Sequence, residues 1–275
     1  MFEGPADELT LTENAQPALM AHSLAVVRVL EREGGFALRD KAVLVAGHSL
    51  GEYSALAAAG AFALPDAARL LKLRGQAMQK AVPAGTGAMA ALLGVEMAQV
   101  LEICEKAAPI PDSPDGAREV VDPANDNGGG QIVVSGHKAA VERAVEVAKS
   151  MGVRRAMLLP VSAPFHCALM APAADAMAEA FAKTAPGRPD VPLVPNVSAE
   201  REMDPGKIRD MLVRQVTATV RWRECVGAMV AHGVDSFAEL GSGKVLAGLA
   251  KRIAPDAAAA SAATPAEVEA LLKIL

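Results

Sequence analysis

Val45-Ala46-Gly47-His48-Ser49-Leu50-Gly51-Glu52-Tyr53 (VAGHSLGEY) sets one serine between two glycines, at the seam of two apolar runs. The run before it, Ala42-Val43-Leu44-Val45-Ala46, predicts a short buried strand. The run after it, Tyr53 to Ala59, predicts a buried helix. A serine at a strand-to-helix corner is lifted clear of the backbone, and G-x-S-x-G in this context reads as a nucleophile elbow. The bare pattern also describes a serine in a helix-capping turn, so the flanking runs carry the reading. The free N–H groups of a helix start favour developing negative charge, which makes the backbone N–H of Leu50 the natural oxyanion donor.

The composition agrees with a globular α/β chain. Of its 275 residues, 52% are hydrophobic and 21% charged, enough to bury a large core in one domain or two unequal ones. Aromatics make up only 3%, so the core must be packed with Ala, Leu, Val and Met. Against 27 Lys and Arg stand 32 Asp and Glu, a net charge of −5 with no basic block, which argues against nucleic-acid binding. Cys104, Cys167 and Cys225 form no C-x-x-C pair and predict free thiols in a reducing cytoplasm. The segment Met1 to Glu8 is acidic and lacks a basic-then-apolar signal pattern. The longest apolar run, Ala55 to Pro65, is too short to span a bilayer. The expectation is a soluble cytoplasmic protein with no membrane role.

Along the chain, helices are predicted over Ala15–Glu33, with Pro17 in the first turn, and over Ala67–Ala81. From Gly87 the order becomes strand (Ala88–Leu93), helix (Glu96–Ala107), a strand near Val120-Val121, strand (Gln131–Ser135), helix (Lys138–Ser150), strand (Val153–Val161). That is the split βαβ, ferredoxin-like order. The fold class expected is an α/β-hydrolase-like large domain, residues 1–86 and 162–275, carrying an inserted ferredoxin-like small domain, residues 87–161. The polar stretch Pro109 to Gly130 reads as a surface excursion within it. The remainder predicts a loop at Ser162–Cys167, a helix over Ala173–Thr184, a strand over Val191–Val197, and helices at Lys207–Thr217 and Trp222–His232. A strand at Ser236–Leu240 and a helix through Ile253 follow, then a last helix capped by Thr264-Pro265. Ala257–Ala263 gives no clear pattern.

A serine nucleophile needs a base, normally histidine. His22 lies mid-helix, His48 adjoins the serine on a diverging corner, His137 opens a helix and His232 ends one. His166 sits in the proline-stiffened loop VSAPFHC after Ser49 in the chain, the order found in α/β-hydrolases, and is the best candidate. No aspartate between them sits in an elbow-like context. Asp112, Asp115, Asp122 and Asp126 read as solvated, and a backbone carbonyl could orient the imidazole instead. Arg74 on a helix is ordinarily a solvated or ion-paired residue. Turned toward Ser49, its planar fork would hold a carboxylate and select an acyl group bearing a free acid. Gly241-Ser242-Gly243-Lys244 fails as a phosphate loop because Val245 replaces Ser/Thr. Asn196-Val197-Ser198 fits the glycosylation pattern, which carries no meaning without secretion. His48 and Glu52 give at most half a metal site, so no metal is expected.

GHSLGEY, an arginine 25 positions on in LKLRGQAMQKAVPAGTGAMAALLG, VSAPFHCALM and GSGKVLAGLAKRI together resemble the malonyl-CoA:acyl carrier protein transacylases of bacterial fatty-acid synthesis. The likeness runs from Met1 to Leu275. It implies Ser49 as the residue that takes the malonyl group as an ester, and His166 as the general base. It further implies Gln215, in LVRQ, as the backbone carbonyl orienting that base, Arg74 as the holder of the malonyl carboxylate, and Phe165 as a wall of the acyl pocket. Ping-pong transfer from malonyl-CoA to acyl carrier protein follows, with no cofactor and a monomeric enzyme. The family begins with a strand and a glycine-glutamine loop that this sequence does not contain, so an upstream start or a truncated chain is expected. A serine carboxyl-esterase or thioesterase on the same elbow, and an inactive carrier-protein-binding relic, are the competing expectations.

Overall fold

The computed structural model describes residues 3–113, 115–161 and 163–275. Ser162, the first residue of the predicted histidine loop, and Met1 lie outside the described residues. Two of the chain's hydrophobic cores position the site.

The first is helical. Helices α1 (Ala6–Thr10) and α2 (Thr12–Gly34) lead to a short α3 (Leu38–Lys41). Helix α4 (Gly51–Ala58) follows the elbow, and α5 (Leu64–Lys80) follows α4. α2 buries Gln16, Met20, Leu24 and Val27 at helical spacing. α5 buries Ala67, Leu70, Leu71, Arg74, Gly75 and Met78, again one face. These stripes meet Tyr53 and Leu56 of α4 and residues of two later helices, α8 (Ala171–Lys183) and α9 (Pro205–Gln215). The two helices α2 and α5 approach closely at Gly75, where a Cβ would stand 2.4 Å from the Glu13 Cα. α2 begins three residues before its predicted start, which puts Pro17 in the second turn, inside the helix.

The second core belongs to a four-stranded antiparallel sheet in the order β2-β3-β1-β4. Its strands are β1 (Gly87–Leu93), β2 (Val121–Asp126), β3 (Gln131–His137) and β4 (Arg155–Leu158). Helices α6 (Met97–Ala107) and α7 (Lys138–Ser150) cover one face, burying Val100 and Ile103 against Leu92, Val134 and Val141. This is the ferredoxin-like arrangement the residue order predicts. The opposite face, with Met89, Ala91 and Val133, packs on Leu159 and Phe165 and so touches the histidine loop.

Four expectations are corrected. Segment Pro109 to Gly130 is not an excursion throughout: the strand expected near Val120-Val121 is β2, it runs on to Asp126, bulged at Pro123/Asn125, and it pairs to β3. Asp126 is 2% exposed and bonded to Arg223 Nε at 2.9 Å, because the β2 end is carried against the chain before helix α10 (Trp222–Ala231). The stretches Ala42–Ala46 and Val191–Val197 are not ladders but extended chain joined by one parallel bridge, Val45 to Leu193. Val43 is 66% exposed. Among the described residues nothing pairs with Val45 on its other side, so no strand propagates. β4 ends at Leu158, three residues short of the predicted Val161, its last ladder partner on β1 being Ala90.

Strand β5 (Ser236–Leu240) runs parallel to β6 (Ala258–Ala262) with α11 (Val245–Ile253) between them, so the uninterpreted alanine run is a strand. Helix α12 (Pro265–Leu272) starts with the Thr264/Glu267 capping box. No helix among the described residues is long and apolar enough to cross a membrane.

Candidate active site

Ser49 sits at φ 53°, a left-handed conformation that costs an L-residue free energy and persists only where its surroundings enforce it. Here the enforcement is visible. A Cβ on Gly47 would lie 2.0 Å from the Gly51 carbonyl carbon, so the corner closes only over glycine. Gly51 N–H, Glu52 N–H and Tyr53 N–H donate to the carbonyls of His48, Ser49 and Leu50, winding the chain straight into α4. Asn196, fully buried, holds both sides of the turn. Its Oδ1 accepts from Ser49 N–H at 2.8 Å and its Nδ2 donates to Gly47 O at 2.8 Å. Among the described residues no acceptor takes the Leu50 N–H.

The histidine comes from the loop between β4 and a 3₁₀ turn at Ala168–Met170. His166 is also left-handed, at φ 59°, and 4% exposed. Its Nδ1–H donates to the Gln215 carbonyl at 2.9 Å, which leaves Nε2 as the acceptor facing Ser49 Oγ at 2.8 Å. Burial first, and the Arg74 cation second, push its pKa down to about 3, so the ring stands neutral and unprotonated.

Arg74 lies on the buried stripe of α5 and is 1% exposed. Nη2 donates to Ser49 Oγ at 3.0 Å and to Gln215 Oε1 at 3.0 Å, and Nη1 donates to Gln16 Oε1 at 2.8 Å. The guanidinium carbon rests 5.6 Å from the Tyr53 ring centroid. Gln215 thus works twice, its carbonyl on His166 and its side chain between Arg74, the Ser49 carbonyl and Glu52 Oε2. Glu52 is fully buried, and burial raises its pKa to about 8, leaving it protonated at neutral pH. Phe165 packs against both the helical core and the lower face of the sheet.

The structure therefore brings Ser49, Leu50, His166, Arg74 and Gln215 together, with Phe165 beside them. The other histidines stand apart. His22 Nε2 meets the Ala263 carbonyl, and His48 Nε2 meets Asn127 Oδ1. His137 does not cap α7 with its ring, because Nδ1 accepts from Val120 N–H instead. His232 ends α10 through its backbone N–H. No group of three or more potential metal ligands occurs among the described residues. The sequence reading passed over Gln16, weighed Glu52 only as half a metal site and Asn196 only within a glycosylation pattern, and gave none of them a place in this site. Their signal was polarity on an apolar stripe: Gln16 continues Met20-Leu24-Val27, and Glu52 opens an alanine-rich buried helix.

A neutral acceptor, a hydroxyl and a buried cation around one oxygen suit acyl transfer of a carboxylated group. Known proteins agree. The family model described as acyl transferase domain matches residues 1–268. Malonyl CoA-acyl carrier protein transacylase of Escherichia coli K12 is 47% identical over 272 residues, 99% of this chain and 84% of that protein. The crystal structure of acyl-carrier-protein-S-malonyltransferase from Bartonella henselae superposes with a TM-score of 0.92 at 55% identity, covering 99% of this chain and 84% of that one. A malonyl-transacylase in complex with a type II PKS acyl-carrier protein gives a TM-score of 0.92 at 42% identity, with 99% and 84% coverage. On sequence, fold and the geometry around Ser49, this chain belongs to the acyl transferase domain family.

Proposed function

We propose that this chain moves a malonyl group from malonyl-CoA to the phosphopantetheine thiol of acyl carrier protein, through a malonyl ester on Ser49. Ser49 Oγ attacks the thioester carbonyl while His166 Nε2 takes the hydroxyl proton, and the Leu50 N–H receives the oxyanion. Collapse breaks the C–S bond, and His166 returns its proton to the CoA thiolate. The carrier thiol then gives its proton to His166 and attacks the serine ester. The Ser49 C–O bond breaks and the proton goes back to Oγ.

Arg74 holds the malonyl carboxylate. The same pairing assists the base, because a bound carboxylate offsets the lowering of the His166 pKa that the cation adds to that of burial. The acyl group arrives activated as a thioester, so the steps call on no cofactor. Three buried free cysteines suit a reducing compartment, and we place the reaction in the cytoplasm.

The observation that carries the reading is the Ser49 hydroxyl held between His166 Nε2 at 2.8 Å and Arg74 Nη2 at 3.0 Å. A simple esterase calls for no buried guanidinium at its nucleophile. Intact mass after incubation with malonyl-CoA tests it. One malonyl increment is expected, absent in Ser49→Ala and reduced in Arg74→Ala. An increment that survives Ser49→Ala overturns the assignment.

A further inference from the structure

His166 holds a left-handed backbone at φ 59°, which costs an L-residue free energy and persists only under constraint. Its bonds to Ser49 Oγ and the Gln215 carbonyl fix the imidazole, not the chain that carries it. The constraint on the chain comes from the four-stranded sheet. Side chains alternate along β1, so Gly87, Met89 and Ala91 share the face turned away from α6 and α7. Met89 and Ala91 belong to the cluster on which Phe165 packs. At Gly87, one step along the same row, there is no side chain, and Pro164 fills the place. A Cβ on Gly87 would stand 2.3 Å from Pro164 Cγ and 2.4 Å from its Cδ. Gly87 has no positive φ, so its conformation does not call for glycine; the close approach does.

The loop is tied on both sides of the histidine. Pro164 is buried, two residues before His166, and its ring fixes its own φ. Its carbonyl accepts from Cys167 Sγ at 3.1 Å, closing the turn around His166, and Cys167 is fully buried. Beyond that, Ala168 N–H donates to Asp122 Oδ2 of β2 at 3.1 Å. Pro164 Cδ is bonded to the backbone nitrogen, so the ring cannot leave Gly87 without carrying the chain with it.

We propose that Gly87 is a positioning residue for the base: its bare Cα seats the Pro164 ring, and that seat sets the strained backbone that aims His166 at Ser49. This rests on the reading of His166 as the base. The elbow then places the nucleophile, and the four-stranded sheet places the group that activates it. A Cβ at Gly87 has to drive the ring back by about 1 Å to reach ordinary contact. A misplacement of that size can cost about a hundredfold in rate.

The test follows acylation of Ser49 by malonyl-CoA in single turnovers, read by intact mass. It compares wild type, Gly87→Ala, Pro164→Ala, the double variant and His166→Ala, each checked for folding by its melting temperature. Gly87→Ala should lower the limiting rate about a hundredfold and leave the half-saturating malonyl-CoA concentration near wild type, because Arg74 and the elbow are untouched. Pro164→Ala should slow the wild-type protein but speed Gly87→Ala, since loss of Cγ and Cδ relieves the clash that the new Cβ creates. Additive losses in the double variant, or a loss seen only in half-saturation, overturn the inference. If Gly87→Ala does not fold, Pro164→Ala decides by the same split, and an unchanged limiting rate overturns the seat. A wild-type rate in Gly87→Ala beside a collapsed one in His166→Ala overturns the Gly87 role alone. A wild-type rate in His166→Ala overturns the base itself.

Discussion

We read His166 as the base of the site, and burial first and the Arg74 cation second keep it unprotonated, which sets the pH behaviour expected of the site. An ordinary histidine would lose its basic form below about pH 6.5. Here burial and Arg74 hold the pKa near 3, so the neutral ring persists through the acid range. The expected profile of kcat/KM for malonyl-CoA is therefore flat from pH 8 down to pH 5, about where an unperturbed base would already have cost activity. An inflection near 6.5 would show that the free enzyme does not hold the ring this way. Glu52 acts on stability with the opposite sign. Its folded pKa is raised to about 8 against an ordinary 4.5. As pH climbs through that window the unfolded chain ionises first, so folding stability present at low pH is lost progressively and levels off above 8. Glu52→Gln should remove this decline in melting temperature between about pH 4.5 and 8 and leave unchanged the acid loss below that window, to which His166 contributes. An identical pH dependence in the variant would remove Glu52 from the account. Neither effect was legible in the sequence. Ser49 and His166 are announced by motif, but Gln16, Asn196 and the Gln215 side chain are neutral amides. What they do depends on partners 58, 147 and 141 positions away.

At the scale of elements, the two glycines of the elbow are not equivalent, although the motif treats them alike. The space where a Gly47 Cβ would stand is filled by Gly51 backbone at 2.0 Å, whereas a Cβ on Gly51 meets nothing within 4 Å. Gly51 is also the first residue of α4 and has no positive φ, so alanine fits its conformation and restricts the unfolded chain, a gain of roughly 0.4–1 kcal/mol. Gly47→Ala should abolish formation of the acyl-serine. Gly51→Ala should keep a folded elbow with an equal or slightly higher melting temperature, which differential scanning calorimetry can read. A soluble, active Gly47→Ala protein would mean the turn has another way to close. Elements whose own residues decide them were read from sequence with their exact bounds, such as Lys138–Ser150 and Ser236–Leu240. Ala258–Ala262 was not, because alanine carries little strand preference and the segment is extended only by its register on β5. The Ala42–Ala46 run failed the other way: its residues favour a strand, but a strand also needs neighbours, and Val45 has a single bridge.

At the scale of the whole molecule, the small sheet does more than sit on the large domain. We read residues 87–161 as the inserted unit, and its β2–β3 turn reaches back to the elbow. Asp126 Oδ2 accepts from Arg223 Nε at 2.9 Å, its Oδ1 accepts from Gly128 N–H at 3.1 Å, and its own N–H donates to Val220 O at 2.9 Å. The next residue, Asn127, accepts from Nε2 of His48, the neighbour of Ser49. The carboxylate is 3% exposed while Arg223 is 46% exposed, so removing the acid leaves the arginine free to hydrate. The cost is then the lost charge-assisted bonds, about 2–3 kcal/mol, without the added penalty of a stranded buried charge. Asp126→Ala should lower the melting temperature by several degrees. It should also slow acyl-serine formation, because the turn that steadies His48 loosens. Asp115→Ala, in an exposed part of the same segment, should do neither. Matching the two variants separates the alternatives: if Asp126→Ala loses stability but acylates Ser49 at the wild-type rate, the small domain anchors the fold and has no hold on the nucleophile.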